Sequence, residues 1–314
     1  MSGPADAQPT RVVRQGKAKR HHYVPELILR RFAGPNLHRW SFDKRHPDYG
    51  IERKPIARLF REWDLYTSVD ANGRRDRSAE TRLSAMESRA GPVLDRIISE
   101  ARQGRLATVS STDREALTDI LVAQIRRSPD SFSRTTANWD FEAIIAERVA
   151  EWEAAGRTVT DADRMALQNG RFAAQTRRNL LAQTVAEPLL RVSAGVLRRG
   201  FTVGVLTQPN RSFLIGSAPL VRFKGQASQR DGFIDPTMEA WLPIARDVAL
   251  CSYGGRRDER ILEIGDEGLR KVNGLISRQS TVIASASREL VASYTRRLGR
   301  APGGEGVASR RPSE

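Results

Sequence analysis

The four histidines of the chain, His21, His22, His38 and His46, stand close together near its N-terminus. Imidazole moves protons near neutral pH and is the commonest nitrogen ligand of transition metals. Adjacent residues point differently in most backbones, so at most one of His21 and His22 is expected to face a given site, where it could serve as acid, base or phosphate ligand. Asp43 and Asp64 lie nearby in sequence, and either could orient an imidazole. His21, His22 and Asp64 are therefore the candidate catalytic residues for a hydrolase. The histidine spacing matches no standard metal motif, and neither a metal nor a cofactor is expected. The competing reading is structural: imidazoles bonded to backbone, with Tyr23 as an apolar anchor.

Arginines supply the second kind of chemistry. Arg30-Arg31 and Arg126-Arg127 are the candidate ligand-binding pairs, because a guanidinium meets phosphate oxygens in a bidentate fork. Each pair also has a plainer reading. Arg30 and Arg31 could form a solvated helix face, and Arg126-Arg127 closes a helix where cations meet the C-terminal dipole. Tyr66 and Trp63 could each stack a nucleic-acid base. Both sit in an apolar stretch and read more simply as core, as does Trp241.

The formal net charge is +15, and nearly all of the 52 Lys and Arg residues are Arg. A surface this positive attracts phosphates, nucleic acid or other anionic ligands. Cys251 is the single cysteine. It excludes an internal disulfide and any multi-cysteine zinc or iron–sulfur site within one chain, and it reads as a small buried residue of a strand. A Gly-rich phosphate loop, a Gly-x-Ser-x-Gly elbow and a His-Glu-x-x-His helix are all absent. No apolar run is long enough for a membrane span, and Met1 to Thr10 lacks the apolar stretch of a secretory signal. A cytoplasmic location is expected.

The elements that must hold these residues follow from apolar spacing. Residues 1–18 and 299–314 lack periodicity and read as disordered; residues 19–298 read as a single α+β domain. Val24 to Phe32 predicts a short helix, stopped by Gly34-Pro35-Asn36, and Leu37 to Phe42 alternates as a strand does. Ser78 to Arg102 predicts a helix kinked at Gly91-Pro92. Thr112 and Glu115 predict a capping box at the start of the next helix. Further helices are expected over Asp140 to Ala154 and Arg164 to Arg199, the latter broken near Pro188. After Gly200 the period shifts to short strands bounded by Gly, Pro and Asn, with a helix over Asp266 to Arg278 and another around Leu290. The expected architecture is a helical middle block with a small mixed sheet built from N-terminal and C-terminal segments.

The stretch Lys19 to Phe32, KRHHYVPELILRRF, resembles the opening motif of the bacterial domain-of-unknown-function family 4238. Further segments agree in order. Trp63-Asp64-Leu65-Tyr66-Thr67 is similar to the family's aromatic-acid-x-Tyr-Thr segment, and Ser84 to Ala90 to its Glu-centred helix. Gln124 to Pro129 is similar to its Gln-x-x-Arg-x-Pro helix end, and Phe213 to Pro219 and Leu242 to Ile244 to two C-terminal strands. The chain departs from the family at Gly216-Ser217-Ala218-Pro219, where relatives carry an acid in a Ser/Gly-Asp-x-Pro pattern. The resemblance implies a shared fold and no particular reaction. Charge and motif together lead to one functional expectation: binding or processing of a phosphate-bearing anion, nucleic acid included, through the His-His-Tyr-Val-Pro segment. The alternatives are a non-enzymatic interaction protein and a hydrolase with a His base.

Overall fold

A computed structural model describes residues 20–298, apart from 34–35, 71–73, 169, 188, 224–236 and 256–258. The two terminal segments expected to be disordered, and the expected breaks at Gly34-Pro35 and Pro188, lie outside the described residues.

The N-terminal part is built from short strands. Arg20–His22 (β1) leads into helix α1 (Glu26–Ala33), followed by the hairpin of His38–Asp43 (β2) and Ile51–Pro55 (β3). Arg61–Trp63 (β4) returns to pair antiparallel with β1, and Ser68–Val69 (β5) pairs with Arg75–Asp76 (β6). Pro25 precedes the first turn of α1, where its missing amide would have had no helical partner. Ile28, Leu29 and Phe32 recur at helical spacing and are buried, which leaves Arg30 exposed.

The helical block follows: α2 (Ser78–Arg102), α3 (Ser111–Arg126), α4 (Pro129–Thr135), α5 (Phe141–Ala154), α6 (Asp161–Gln168), α7 (Arg171–Ala186) and α8 (Leu190–Leu197). Pro92 lies inside α2, which continues through it to Arg102. The capping box of α3 is made by Ser110 and Asp113, two residues earlier than expected. Ser110 Oγ accepts from the Asp113 amide at 3.1 Å, and the Asp113 carboxylate accepts from the Ser110 amide at 3.0 Å. The box requires an extended N-cap residue. Ser110 has that conformation, whereas Thr112 is already helical.

The C-terminal part supplies Arg199–Val205 (β7), Ile215–Gly216 (β8), Val221–Phe223 (β9), Glu239–Pro243 (β10), Val248–Gly255 (β11) and Arg260–Glu263 (β12). Helix α9 (Asp266–Gln279), strand Val282–Ser285 (β13) and helix α10 (Arg288–Leu298) complete it. The fold is α+β, with strands from the two ends of the chain meeting as expected. They form two principal sheets. One is four-stranded and antiparallel, in the order β3-β2-β13-β8. The other is five-stranded, in the order β12-β7-β11-β10-β9, with β12 parallel to β7. Strand β7 is buried at every position, as a central strand covered on both faces must be. Cys251 is fully buried in β11, where burial raises its thiol pKa well above the usual range. No helix among the described residues is long and apolar enough to cross a membrane.

Candidate functional site

Strand β1 is paired with only one neighbour, so the side chains of His21 and Tyr23 must find cover elsewhere. His21 is 4% exposed. Its Nδ1 accepts the Tyr66 amide proton at 3.0 Å, which places the ring proton of the neutral imidazole on Nε2. Nε2 stands 3.2 Å from Glu80 Oε2 on α2. Tyr66 is fully enclosed and donates its hydroxyl to the Arg127 carbonyl at 2.6 Å; burial holds its pKa above the ordinary phenol value. Arg127 in turn forks onto the His22 carbonyl, from Nη2 at 2.7 Å and Nε at 3.2 Å, and pairs with Glu87 at 2.5 Å. The side chain of His22 is partly buried, and that burial lowers its pKa.

These contacts join four sequence segments singled out above: His-His-Tyr-Val-Pro, Trp-Asp-Leu-Tyr-Thr, the Glu87 helix and Gln-x-x-Arg-x-Pro. The fifth joins through α4. Asp130, next to Pro129, accepts from the Thr281 amide at 2.8 Å and the Thr281 hydroxyl at 3.0 Å. It also accepts from the Ser217 hydroxyl. Ser217, in the Gly216-Ser217-Ala218-Pro219 segment, thus has a carboxylate brought to it from another element.

The other candidates separate. Asp64 adopts a left-handed backbone (φ 51°) and pairs with Arg75. Arg126 donates to the Thr184 carbonyl at 3.1 Å and lines a small cavity of about 90 Å³ with Arg82 and Arg89. His38 bonds the Asn36 carbonyl through Nδ1 at 2.6 Å, and His46 stacks on Tyr49. Among the described residues, no three His, Cys, Asp or Glu side chains form a group that could hold a metal ion.

Arg30 and Arg31 lead to a different place. They stand on the rim of an open cleft of about 820 Å³ with Arg39 (β2), Arg53 (β3), Arg102 (end of α2) and Arg246 (the β10–β11 turn). Arg31 is pinned by Asp95 at 2.8 Å and by the Leu27 and Gly91 carbonyls at 2.6 and 2.8 Å. Among the described residues lining the cleft the one acid is Asp247, and both its oxygens are occupied by Arg102, at 2.7 and 2.8 Å. Arg39 is 6% exposed; among the described residues its side chain makes one hydrogen bond, to the His38 carbonyl, and its buried Nε has no acceptor. Burial, reinforced by the charge of Arg246, lowers the pKa of Arg39 to about 10. It stays charged at neutral pH and has no counter-charge among the described residues. A guanidinium in that position can take a phosphate or carboxylate oxygen as its acceptor.

A model of the family described as protein of unknown function, DUF4238, matches residues 20–293. The chain belongs to this family. No curated protein and no solved structure matches it. The matched span contains both the buried network around His21 and Arg127 and every arginine of the cleft.

Sequence reasoning placed Arg30 and Arg31 among the ligand-binding candidates and missed Arg39, Arg53, Arg102 and Arg246. A signal existed in two places. Arg39 interrupts an apolar, aromatic strand, and Arg246-Asp247 forms a charged turn between two apolar strands. Trp63 departs from its expected core position: it is 56% exposed. Strand β4 pairs with β1 in a two-stranded sheet, and Trp63 packs against its cross-strand neighbour Arg20. Tyr66 and Trp241 are core, at 1% and 6% exposed.

Proposed function

We propose that this protein binds a phosphate-bearing anion in the arginine cleft between α1, β2 and the β10–β11 turn. In this reading the His-His-Tyr-Val-Pro segment acts as an anchor. It is tied to Tyr66 and Arg127, and it launches the helix that carries Arg30 and Arg31. The observation that carries the proposal is Arg39: a buried guanidinium beside Arg246, facing a cleft whose one carboxylate among the described lining residues is already committed to Arg102. An unpaired buried cation costs stability, and an anion bound beside it removes that cost. None of the clefts described above is lined by His21, His22 or Asp64, which favours binding over hydrolysis by a His base.

Thermal melts with inorganic phosphate and pyrophosphate test the reading, with chloride at matched ionic strength as control. The melting temperature is expected to rise with phosphate concentration, and the rise to be lost in Arg246→Ala, whose side chain is exposed. Equal phosphate responses in Arg246→Ala, Arg39→Gln and the parent chain would reject it.

A further inference from the structure

The arginine cleft does not end at Arg53. The same side chain lines a second groove of about 760 Å³, walled by Arg20, Lys54, Arg58, Arg61 and Trp63. The acids of this groove are Glu52 and Glu62. Glu52 is paired with Lys54 at 2.5 Å, and Glu62 faces Arg45 at 3.9 Å. Among the described residues, Arg20, Arg58 and Arg61 have no carboxylate partner. Arg61 lies close enough to Arg20 and Arg58 for their charges to oppose its own. Arg20 and Trp63 are cross-strand partners on β1 and β4, and the Arg20 guanidinium lies 4.2 Å from the centre of the Trp63 ring. With that contact in place the indole is still 56% exposed. Inside the first cleft, Trp40 is half-buried, with Arg288 held 5.9 Å from its ring centre.

We infer that the ligand is a single-stranded polynucleotide, its backbone running from Arg39 and Arg246 past Arg53 to Arg20, Arg58 and Arg61, with a base stacked on Trp63. This rests on the anion-binding reading of the first cleft and extends it. A single phosphate would neutralise one end of this track and leave the other end's cations unmatched. A duplex keeps its bases stacked inside and gains nothing from an exposed indole, whereas an unpaired base has a free face to offer it. An acidic peptide meets the cations but has no base to place on Trp63.

Fluorescence anisotropy on the full chain tests the inference. The probes are dye-labelled oligothymidylate and oligouridylate of about 12 nucleotides, inside the ~4–16 nucleotide span usual for single-strand sites. A duplex of the same length and polyglutamate of matched charge serve as comparisons. Single strands are expected to bind more tightly than either, with affinity falling steeply as salt is raised. Trp63→Ala should weaken single-strand binding by about fivefold to a hundredfold, the range of one base–aromatic stack, and Trp63→Phe should keep most of it. Arg58→Glu should weaken it while leaving the phosphate-induced rise in melting temperature intact. Unchanged binding in Trp63→Ala, or duplex or polyglutamate binding as tight as single strands, overturns the inference while the phosphate response upholds the first cleft. Loss of both the oligonucleotide and the phosphate response overturns the two readings together.

Discussion

His21 and Tyr66 lie ring on ring, with 5.6 Å between centroids and 1° between planes, and the Tyr66 amide donates to His21 Nδ1. A strand with one neighbour and a turn with a left-handed residue are thereby fixed to each other. The acceptor role of Nδ1 allows a chemical separation. Asn at position 21 can offer an amide oxygen near the same place, whereas Ala leaves the buried Tyr66 amide without an acceptor. His21→Ala is expected to cost about 1–3 kcal/mol in urea unfolding, and His21→Asn less. Equal costs for the two would show that ring packing, and not the hydrogen bond, sets the stability here.

Arg127 carries the heaviest structural duty in this network. Its guanidinium is 5% exposed and serves the His22 carbonyl and the Glu87 carboxylate together. Removing one partner of a buried ion pair strands the other, so Arg127→Ala should destabilise by about 3–5 kcal/mol. Lys keeps the charge but has no planar fork, and Arg127→Lys should recover only part of the loss. Adding Glu87→Gln to Arg127→Ala should cost little more, because the stranded carboxylate is then neutral. A fully additive double mutant would show that the two side chains act independently.

The sequence made the elements legible where period is strong. The stripes Leu83, Met86, Leu94, Ile97 and Leu117, Ile120, Leu121 are buried in α2 and α3. The N-terminal strand β2 does share a sheet with C-terminal β13. Strand β1 was not legible. Its three residues, Arg-His-His, carry no apolar period, and their cover comes from Tyr66 and from α2 and α3, elements distant in sequence. The division of strands into two sheets was hidden for a similar reason, since pairing partners are chosen by tertiary packing. At the cleft, Arg30 and Arg31 were visible as a basic pair. Arg39, Arg102 and Arg246 come from three separate elements and are neighbours only in the fold.

His22 gives the fold a pH dependence of definite sign. Burial lowers its pKa from the ordinary 6.5. Between that value and the folded one, the unfolded chain holds more protons than the folded chain, so stability falls as pH drops through 6.5. Above 6.5 both states carry a neutral ring and this contribution is fully present. The unfolding free energy, measured in urea between about pH 7.5 and about pH 5.5, is expected to decline, and His22→Gln to flatten part of that decline. A parallel decline in the variant would assign the effect to other groups.

Ser217 and Asp130 offer a test of how this chain departs from the family pattern. The resemblance implies an acid at position 217, and this chain places a hydroxyl there that donates to Asp130. Ser217 is 1% exposed and also accepts the Val282 amide at 3.1 Å. Ser217→Asp would set two carboxylates in contact, and two such groups cannot both ionise without a large penalty. The variant should lose about 2–4 kcal/mol at neutral pH, with the loss shrinking as the medium becomes acidic enough for the pair to share a proton. Exchanging the two residues, Ser217→Asp with Asp130→Ser, restores one acid and one hydroxyl and should return most of the stability. Thr281 donates to the carboxylate from both amide and hydroxyl, and either position leaves an acid within its neighbourhood. Urea unfolding of the three chains at neutral and acid pH reads the result. If the exchanged chain is no more stable than Ser217→Asp alone, Asp130 holds α4 through its own geometry, and the two positions are not interchangeable seats for one charge.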